Sequence, residues 1–236
     1  MTIGSYVFGP NRLGLWIIPN ANLTDKLIHV LPRLTRANVL PNLTDIFLPP
    51  EATIGHKDQC RVAGFFVHTY DVVHSVDAVT LAKKMIAKRK ALGTGAIEVD
   101  LEGAAVQPDQ PALNNYIVAF VREVRRTNPN LPVRLNVPPF KGYALPAALI
   151  RDDPNLFVIA QAYFGNQDGR CSEADVILDL LDWGIPRQKI AVMYGVLADR
   201  QPTGDRVYAL PNPEYKPLLT GSVFSDDLLL EAGLLP

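Results

Sequence analysis

Three acidic side chains alternate with apolar ones in the segment GTGAIEVDLEGAA, residues 93–105. Because side chains alternate along a β-strand, Glu98, Asp100 and Glu102 would share one face, with neighbouring acids roughly 6 to 7 Å apart. Carboxyl groups this close in a poorly solvated space raise one another's pKa, and a carboxyl that keeps its proton near neutral pH is suited to general acid catalysis. The alternative is a structural role, in which a carboxylate forms a buried ion pair with Arg134 of a neighbouring strand.

Eight short apolar or β-rich runs, each bounded by Pro, Gly, Asn or Asp, are predicted to form the strands that position these acids. They cover residues 12–18, 43–48, 61–69, 95–102, 132–138, 156–163, 189–195 and 221–226. Strands that alternate with helical patterns indicate parallel βα units, and eight such units close a TIM barrel. We therefore expect one α/β domain over residues 1–236, a compact (β/α)8 TIM barrel near the minimal length for this fold. An open doubly wound sheet is the alternative, but no GxGxxG or GxxxxGK[ST] motif follows the first strand.

The clearest helical pattern covers residues 75–92, with Ser75 as the predicted N-cap and Gly93 directly after the last turn. Further helices are predicted over 24–37 with an interruption at Pro32, over 110–127 and over 172–183. The proline-rich segments 49–60 and 139–155 are expected to hold at most brief helices.

The geometry of a barrel determines where the acids would point. The apolar residues Ile97, Val99 and Leu101 would pack against the surrounding helices, so the acids would face the lumen. Glu102 is the last of the three and would lie nearest the C-terminal end of its strand, where TIM-barrel active sites are found. Glu102 is therefore the predicted general acid.

The segment GAIEVDLEG resembles the fourth-strand signature of glycoside hydrolase family 18, the chitinases and endo-N-acetylglucosaminidases, which reads DGxDxDxE. Aligned on the final Glu, Glu102 matches the catalytic acid of that family and Asp100 the aspartate that orients the substrate's acetamido group. Glu98 stands where the family has Asp, and Gly95 stands where it has its first Asp. A DxE in a small barrel is also similar to glycoside hydrolase family 25, the lysozyme-like muramidases.

Two other predicted strands end in residues suited to sugar binding. Gln161 and Tyr163 on the sixth strand resemble the QxYN of plant-type chitinases, which implies that they hold the carbonyl and N-acetyl oxygen of a bound sugar in a substrate-assisted reaction. Tyr163 is equally compatible with a core position in which its hydroxyl is satisfied. On the eighth strand, Phe224 stands where family 18 usually has a tryptophan, and Asp226 follows on the same face.

The third predicted strand, within FFVHTYDVVH, places His68 and Tyr70 on one face and is similar to the YHF segment of family 25. His68, Asp71 and His74 suggest a metal site, but their spacing fits neither a helical HxxxH nor a finger pattern, so we expect no metal. A histidine satisfied by neighbouring hydrogen bonds is the simpler expectation. The remaining residues predicted at the rim of the site are Trp16, Asn136 and Tyr194.

The composition restricts the classes of partner. With 48% hydrophobic residues, 20% charged residues and a net charge of -1, the chain fills a core and has no bulk attraction for nucleic acid or anionic lipid. No run reaches the roughly 20 apolar residues of a membrane span, and no basic segment precedes an apolar one at the N-terminus. We expect no cofactor and a location that is cytoplasmic, virion-associated or reached by lysis. Cys60 and Cys171 match no metal or CxxC spacing and are predicted to be free thiols.

Three hypotheses of function follow. The first is a glycosidase acting on N-acetylhexosamine polymers, chitin or peptidoglycan, in which Glu102 is the acid and Asp100 and Tyr163 position the acetamido group. The second is a non-catalytic barrel that binds a polysaccharide or oligosaccharide, or that serves as a phage virion or tail component with virion proteins as partners. The third is a metal or small-metabolite enzyme built on His68 and His74.

Overall fold

A computed structural model describes most of the barrel. The described residues are 43–72, 76–101, 110–137, 145–161 and 173–193, together with the short segments 13–16, 23–24, 27–28, 31, 197–198, 206–207 and 222–224. For some of these, among them 13–16 and 222–224, only the backbone is described.

Eight parallel strands close into a barrel. They are β1 Leu13–Trp16, β2 Leu43–Leu48, β3 Phe66–Val72, β4 Ile97–Asp100, β5 Val133–Val137, β6 Leu156–Gln161, β7 Ile190–Met193 and β10 Ser222–Phe224. Around the barrel their order is β1-β10-β7-β6-β5-β4-β3-β2. A separate antiparallel ribbon pairs β8, Leu197–Ala198, with β9, Arg206–Val207. The predicted (β/α)8 barrel is therefore confirmed, and each of the eight predicted strands contains one barrel strand or most of one.

The described helices are α1 Ile54–Val62, α2 Ala78–Leu92, α3 Gln110–Thr127, α4 Ala147–Asp152 and α5 Glu173–Asp182. Residues 23–24, 27–28 and 31 are also helical, within the predicted helix 24–37 or at its edge. The pattern over 110–127 matches α3 at both ends, and α5 agrees with the prediction over 172–183 to within a residue at each end.

The predicted third strand began too early. Residues 61–62 form the end of α1, and the strand begins only at Phe66 and continues to Val72. At the start of α1, the backbone N–H of Thr53 donates to Nδ1 of His56 at 3.1 Å, which satisfies a donor that the helix itself leaves unpaired. Gly64, with φ of 94°, makes the turn into β3, because a left-handed conformation is easily adopted only by glycine.

The predicted N-cap of α2 was also wrong. Asp77 caps the helix, because its Oδ1 accepts hydrogen bonds from the backbone N–H groups of Val79 at 3.1 Å and Thr80 at 3.0 Å. Ser75 lies outside the described residues. At the other end the prediction is confirmed: Gly93 is the C-cap in the left-handed region, with φ of 65°.

The hydrophobic core lies between the barrel and its helices. Ile97, Val99 and Leu101 are buried in it with apolar residues of α2 and α3, as the alternation of β4 predicted. Two lysines of α2 contact neighbouring segments: Lys84 pairs with Asp71 of β3 at 2.8 Å, and Lys88 donates to the carbonyl oxygens of Pro49 and Pro50, which follow β2. Within the described part of the chain, no helix has the length and apolar character that a membrane crossing requires.

Candidate functional site in the barrel lumen

The acids of β4 face the lumen. Glu98 pairs in register with Tyr70 of β3 and Arg134 of β5, and Asp100 pairs with Asn136 of β5. Glu98 is 0% exposed and Asp100 is 3% exposed. The two carboxyl groups are two residues apart on one face of a strand, in a space largely closed to water, so the charge of one affects the other.

Glu98 is held by side chains of β5. Asn136 Nδ2 donates to Glu98 Oε1 at 3.0 Å. Burial raises the pKa of Glu98 from 4.5 to about 7; Arg134 and the bond from Asn136 lower the pKa, and the charge of Asp100 raises it. Glu98 therefore keeps a proton in an appreciable fraction of molecules at neutral pH.

Arg134 is the cation of this layer. It is among the largest fully buried side chains, and its guanidinium carbon lies 4.5 Å from the centre of the Phe47 ring. Its charge lowers the pKa of Glu98, which stands opposite it in the register of β4 and β5, and the predicted ion pair of an acid with Arg134 stays a prediction. Among the described side chains, Glu98 and Asp100 of β4 and Arg134 of β5 thus provide two carboxyl groups to one cation, and the raised pKa of Glu98 favours a proton on this residue.

Tyr70 completes the layer from the side of β3. Its side chain is 1% exposed, and it stands beside Glu98 in the register of the two strands. Burial, followed by the nearby charges of Glu51, Glu98, Asp100 and Asp71, raises the pKa of its hydroxyl, which therefore stays neutral. Tyr70 was predicted to bind substrate, and the structure places it in the interior of the barrel.

His68 was also predicted to bind substrate, but both of its ring nitrogens are engaged inside the barrel. The backbone N–H of Ala96 donates to Nδ1 at 3.0 Å, so the hydrogen of the ring is on Nε2, which donates to Asp45 Oδ1 at 2.7 Å. The ring stacks on Phe47 with 4.8 Å between centroids. The expectation of a histidine satisfied by hydrogen bonds is confirmed.

The suggested grouping of His68 with Asp71 does not form. The two residues lie on opposite faces of β3, since side chains of adjacent odd and even positions alternate. Asp71 is turned toward α2, where its Oδ2 pairs with Lys84. His74, the third member of the group, lies outside the described residues.

Several predicted site residues lie at strand ends. Trp16, Asp100, Gln161 and Phe224 are the last residues of β1, β4, β6 and β10, and of these only Asp100 has a described side chain. In a parallel barrel these ends lie on the same face, the one that carries TIM-barrel active sites. Outside the described residues lie Glu102, Tyr163, Tyr194 and Asp226.

Two residues of the lumen were not singled out from the sequence. Asp45 and Phe47 both belong to β2, and both contact His68: Asp45 through a hydrogen bond to Nε2 and Phe47 by ring stacking. The available signal was the acid within the apolar run LTDIFL, which has the same alternation as the acids of β4. A lone acid in a strand does not identify its partner, and His68 is 23 residues away.

Comparison with known proteins gives similarity at the level of structure. No protein-family model matches the chain, and the search of curated proteins finds no match. A family 18 chitinase from Cycas revoluta in complex with allosamidin has a TM-score of 0.62 at 13% identity, over 95% of this chain and 97% of the other. Active domain 2 of a thermostable chitinase from Pyrococcus furiosus, complexed with chito-oligosaccharides, has a TM-score of 0.56 at 12% identity, over 95% and 85%.

The barrel is also shared by proteins of other chemistry. A xylose isomerase domain containing protein from Salmonella typhimurium has a TM-score of 0.50 at 10% identity, over 96% of this chain and 94% of the other. At such identities the likeness establishes the fold, and function has to be argued from the site. The neighbours agree with the family 18 resemblance of β4 as far as the fold, and they give no support to the resemblance to family 25.

Proposed function

We propose that this protein is a glycoside hydrolase acting on chitin-like polymers of N-acetylhexosamine. The observation that carries the proposal is the pair of carboxyl groups on the lumen face of β4. Glu98 and Asp100 are both buried there, four and two residues before Glu102, and burial raises the pKa of Glu98 to about 7. When Glu98 carries its proton, it does not repel the negative charge of Asp100 beside it. The chito-oligosaccharide complexes of the structural neighbours support the choice of substrate.

In this proposal Glu102 protonates the glycosidic oxygen as it leaves. Asp100 and Tyr163 position the acetamido group of the sugar, whose oxygen attacks the anomeric carbon in a substrate-assisted reaction. A carboxylate that accepts the acetamido N–H increases the nucleophilicity of that oxygen, which is why Asp100 must be ionised. The remaining proposed contacts to the sugar are Trp16, Gln161, Asn136, Tyr194, Phe224 and Asp226.

The test compares the wild-type protein with a Glu102→Gln variant. Both are incubated with chito-oligosaccharides and, separately, with peptidoglycan, and the products are analysed by mass spectrometry. Loss of a general acid lowers the rate by about 10²- to 10⁴-fold, so Glu102→Gln is expected to release product at least about 100-fold more slowly. Asp58→Asn, an acid-to-amide change at an exposed position of α1, is the matched control and should turn over like the wild type. Equal rates for wild type and Glu102→Gln would contradict the assignment of the acid.

A second candidate is a barrel that binds the saccharide without cleaving it, in a carbohydrate-binding or virion role. The observation that favours it is Gly95, which stands where the family 18 signature has its first Asp. A Cβ at this position would lie 3.0 Å from Cε1 of His68, so a carboxylate side chain there would require the imidazole to shift. Binding of chito-oligosaccharides measured by calorimetry, together with background product release from every variant, would establish this candidate in place of the first.

A further inference from the structure

The space beside Gly95 is filled by the imidazole of His68. A Cβ on Gly95 would lie 3.0 Å from His68 Cε1 and 3.1 Å from Nδ1, which is tighter than most Cβ contacts in proteins, so the ring would have to shift by a few tenths of an ångström. The backbone of Gly95 has little freedom to retreat, because its N–H donates to Val67 at 2.9 Å and its carbonyl accepts from Arg89 at 3.2 Å. A side chain at position 95 would therefore require the imidazole of His68 to move.

His68 is itself held in place from β2. Asp45 accepts from Nε2 at 2.7 Å, and this bond orients the ring so that Nδ1 faces the backbone N–H of Ala96. Ala96 directly precedes β4 and lies two residues before Glu98. The imidazole is thus a fixed acceptor at the base of the strand that carries the acids.

A second chain of contacts runs from His68 to Glu98 across the lumen. The imidazole stacks on Phe47, the Phe47 ring lies beneath the guanidinium of Arg134, and the charge of Arg134 acts on Glu98. His68, Phe47 and Arg134 are each at most 2% exposed, so these three side chains separate Glu98 from water on the side toward the base of the barrel.

We propose that His68, oriented by Asp45, is a positioning residue for the acid strand: it fixes the start of β4 through Ala96 and keeps water away from Glu98. In the reaction proposed above, on which this role depends for its effect on turnover, His68 touches no substrate. It sets the protonation of Glu98 and through it the environment of Asp100.

The charged and titratable groups around Glu98 and His68 determine the direction in which the pKa of Glu98 should change when His68 is replaced. Among the described residues, Glu98 faces Tyr70 of β3, Asp100 of β4 and Arg134 of β5, and His68 faces Asp45 of β2. Burial is the largest cause of the raised pKa of Glu98. Removing the imidazole leaves a polar space that water enters, so the pKa of Glu98 should fall toward its usual value.

The experiment follows the carboxyl titration of Glu98 by NMR with ¹³C-labelled glutamate, using Glu98→Gln to assign the signal. In His68→Ala the midpoint is expected to fall by about one pH unit or more. His68→Asn keeps an acceptor near the position of Nδ1 and should recover at least about half of that shift. Hydrogen exchange at the Ala96 amide should become about tenfold faster in His68→Ala and remain slower in His68→Asn, because only the second retains an acceptor.

Gly95→Ala gives a second test that leaves His68 in place. The added methyl group displaces the ring, so the Ala96 amide should exchange faster and the midpoint of Glu98 should move in the same direction as in His68→Ala. Gly55→Ala is the matched control, because its Cβ would lie at an ordinary 3.6 Å from Thr53 Oγ1. This second variant keeps the test decisive if His68→Ala does not fold.

An unchanged midpoint of Glu98 in folded His68→Ala and Gly95→Ala would overturn the inference, even if both variants lose stability. If the glycosidase assignment holds as well, the alkaline limit of turnover in these variants should move to lower pH by the same amount as the NMR midpoint. The titration needs no turnover, so a shifted midpoint with no hydrolysis by any variant would count against the proposed function alone.

Discussion

Replacing Glu98 with Gln should change how the stability of the protein depends on pH. Gln has nearly the shape of Glu, and its oxygen can accept the hydrogen bond that Asn136 donates to Glu98 Oε1 at 3.0 Å. The substitution removes a titratable group that is fully buried.

The size of the effect follows from the pKa of Glu98, which folding raises from 4.5 to about 7. Between these values the folded state binds more protons than the unfolded state, so the free energy of unfolding falls as the pH rises. One pKa unit corresponds to about 1.4 kcal/mol, so ionising Glu98 costs the wild type about 3 kcal/mol by pH 7 to 8. This contribution is absent below about pH 4.5, where Glu98 is protonated in both states.

Urea unfolding at several values between pH 4 and 8 measures this directly. The free energy of unfolding of the wild type minus that of Glu98→Gln should fall by about 3 kcal/mol across this range. Asp58→Asn, at an exposed acid, should track the wild type at every pH. If the difference in free energy of unfolding between wild type and Glu98→Gln stays constant within about 0.5 kcal/mol from pH 4 to 8, Glu98 titrates normally and the description of the lumen is wrong.

Two further predictions concern Arg134 and Gly93. Because the charge of Arg134 lowers the pKa of Glu98, Arg134→Met should raise the NMR midpoint of Glu98 above about 7, and a fall would contradict the assigned interaction. Gly93 has φ of 65° and no atom within 4 Å of an added Cβ, so Gly93→Ala should lose about 1 kcal/mol in urea unfolding from the backbone alone. Gly93→Asn should lose less, because Asn adopts the left-handed conformation more readily; equal stability of all three proteins would count against a backbone origin.

Alternation along β4 was enough to predict which of its residues face the lumen. The three apolar residues are buried against helices and the acids face inward, because a strand permits no other division of its side chains. Periodicity likewise placed α3 at its observed ends, since the apolar stripe of an 18-residue helix is long enough to define both.

Local signals misplaced elements where two candidates competed. Ser75 and Asp77 are both good N-caps, and only the structure shows that Asp77 accepts from Val79 and Thr80. The apolar residues near position 61 suggested a strand, but a helix ends there and Gly64 makes the turn that follows. Short segments of this kind are decided by tertiary packing rather than by propensity.

The contacts of Asp45 and Phe47 with His68 could not be predicted from the sequence, because they join residues that are far apart along the chain. Asp45 and His68 are 23 residues apart and meet only when β2 and β3 pair in register. Closure of the barrel likewise brings Phe47 of β2 next to Arg134 of β5, which is 87 positions further along the chain. Patterns within single segments were enough to single out the acids of β4 and also Tyr70, Arg134 and Asn136, but they did not identify Asp45 and Phe47 as the partners of His68.

The close approach of Gly95 to His68 also means that the effect of a mutation at one of these positions depends on the residue at the other. An aspartate at position 95 would complete one more position of the DGxDxDxE pattern, yet it enters a space that the imidazole fills. Such a change requires the ring to shift, so its cost depends on which residue stands at position 68. The two positions are therefore expected to be epistatic, with Gly95→Asp losing less stability in a His68→Ala background than alone.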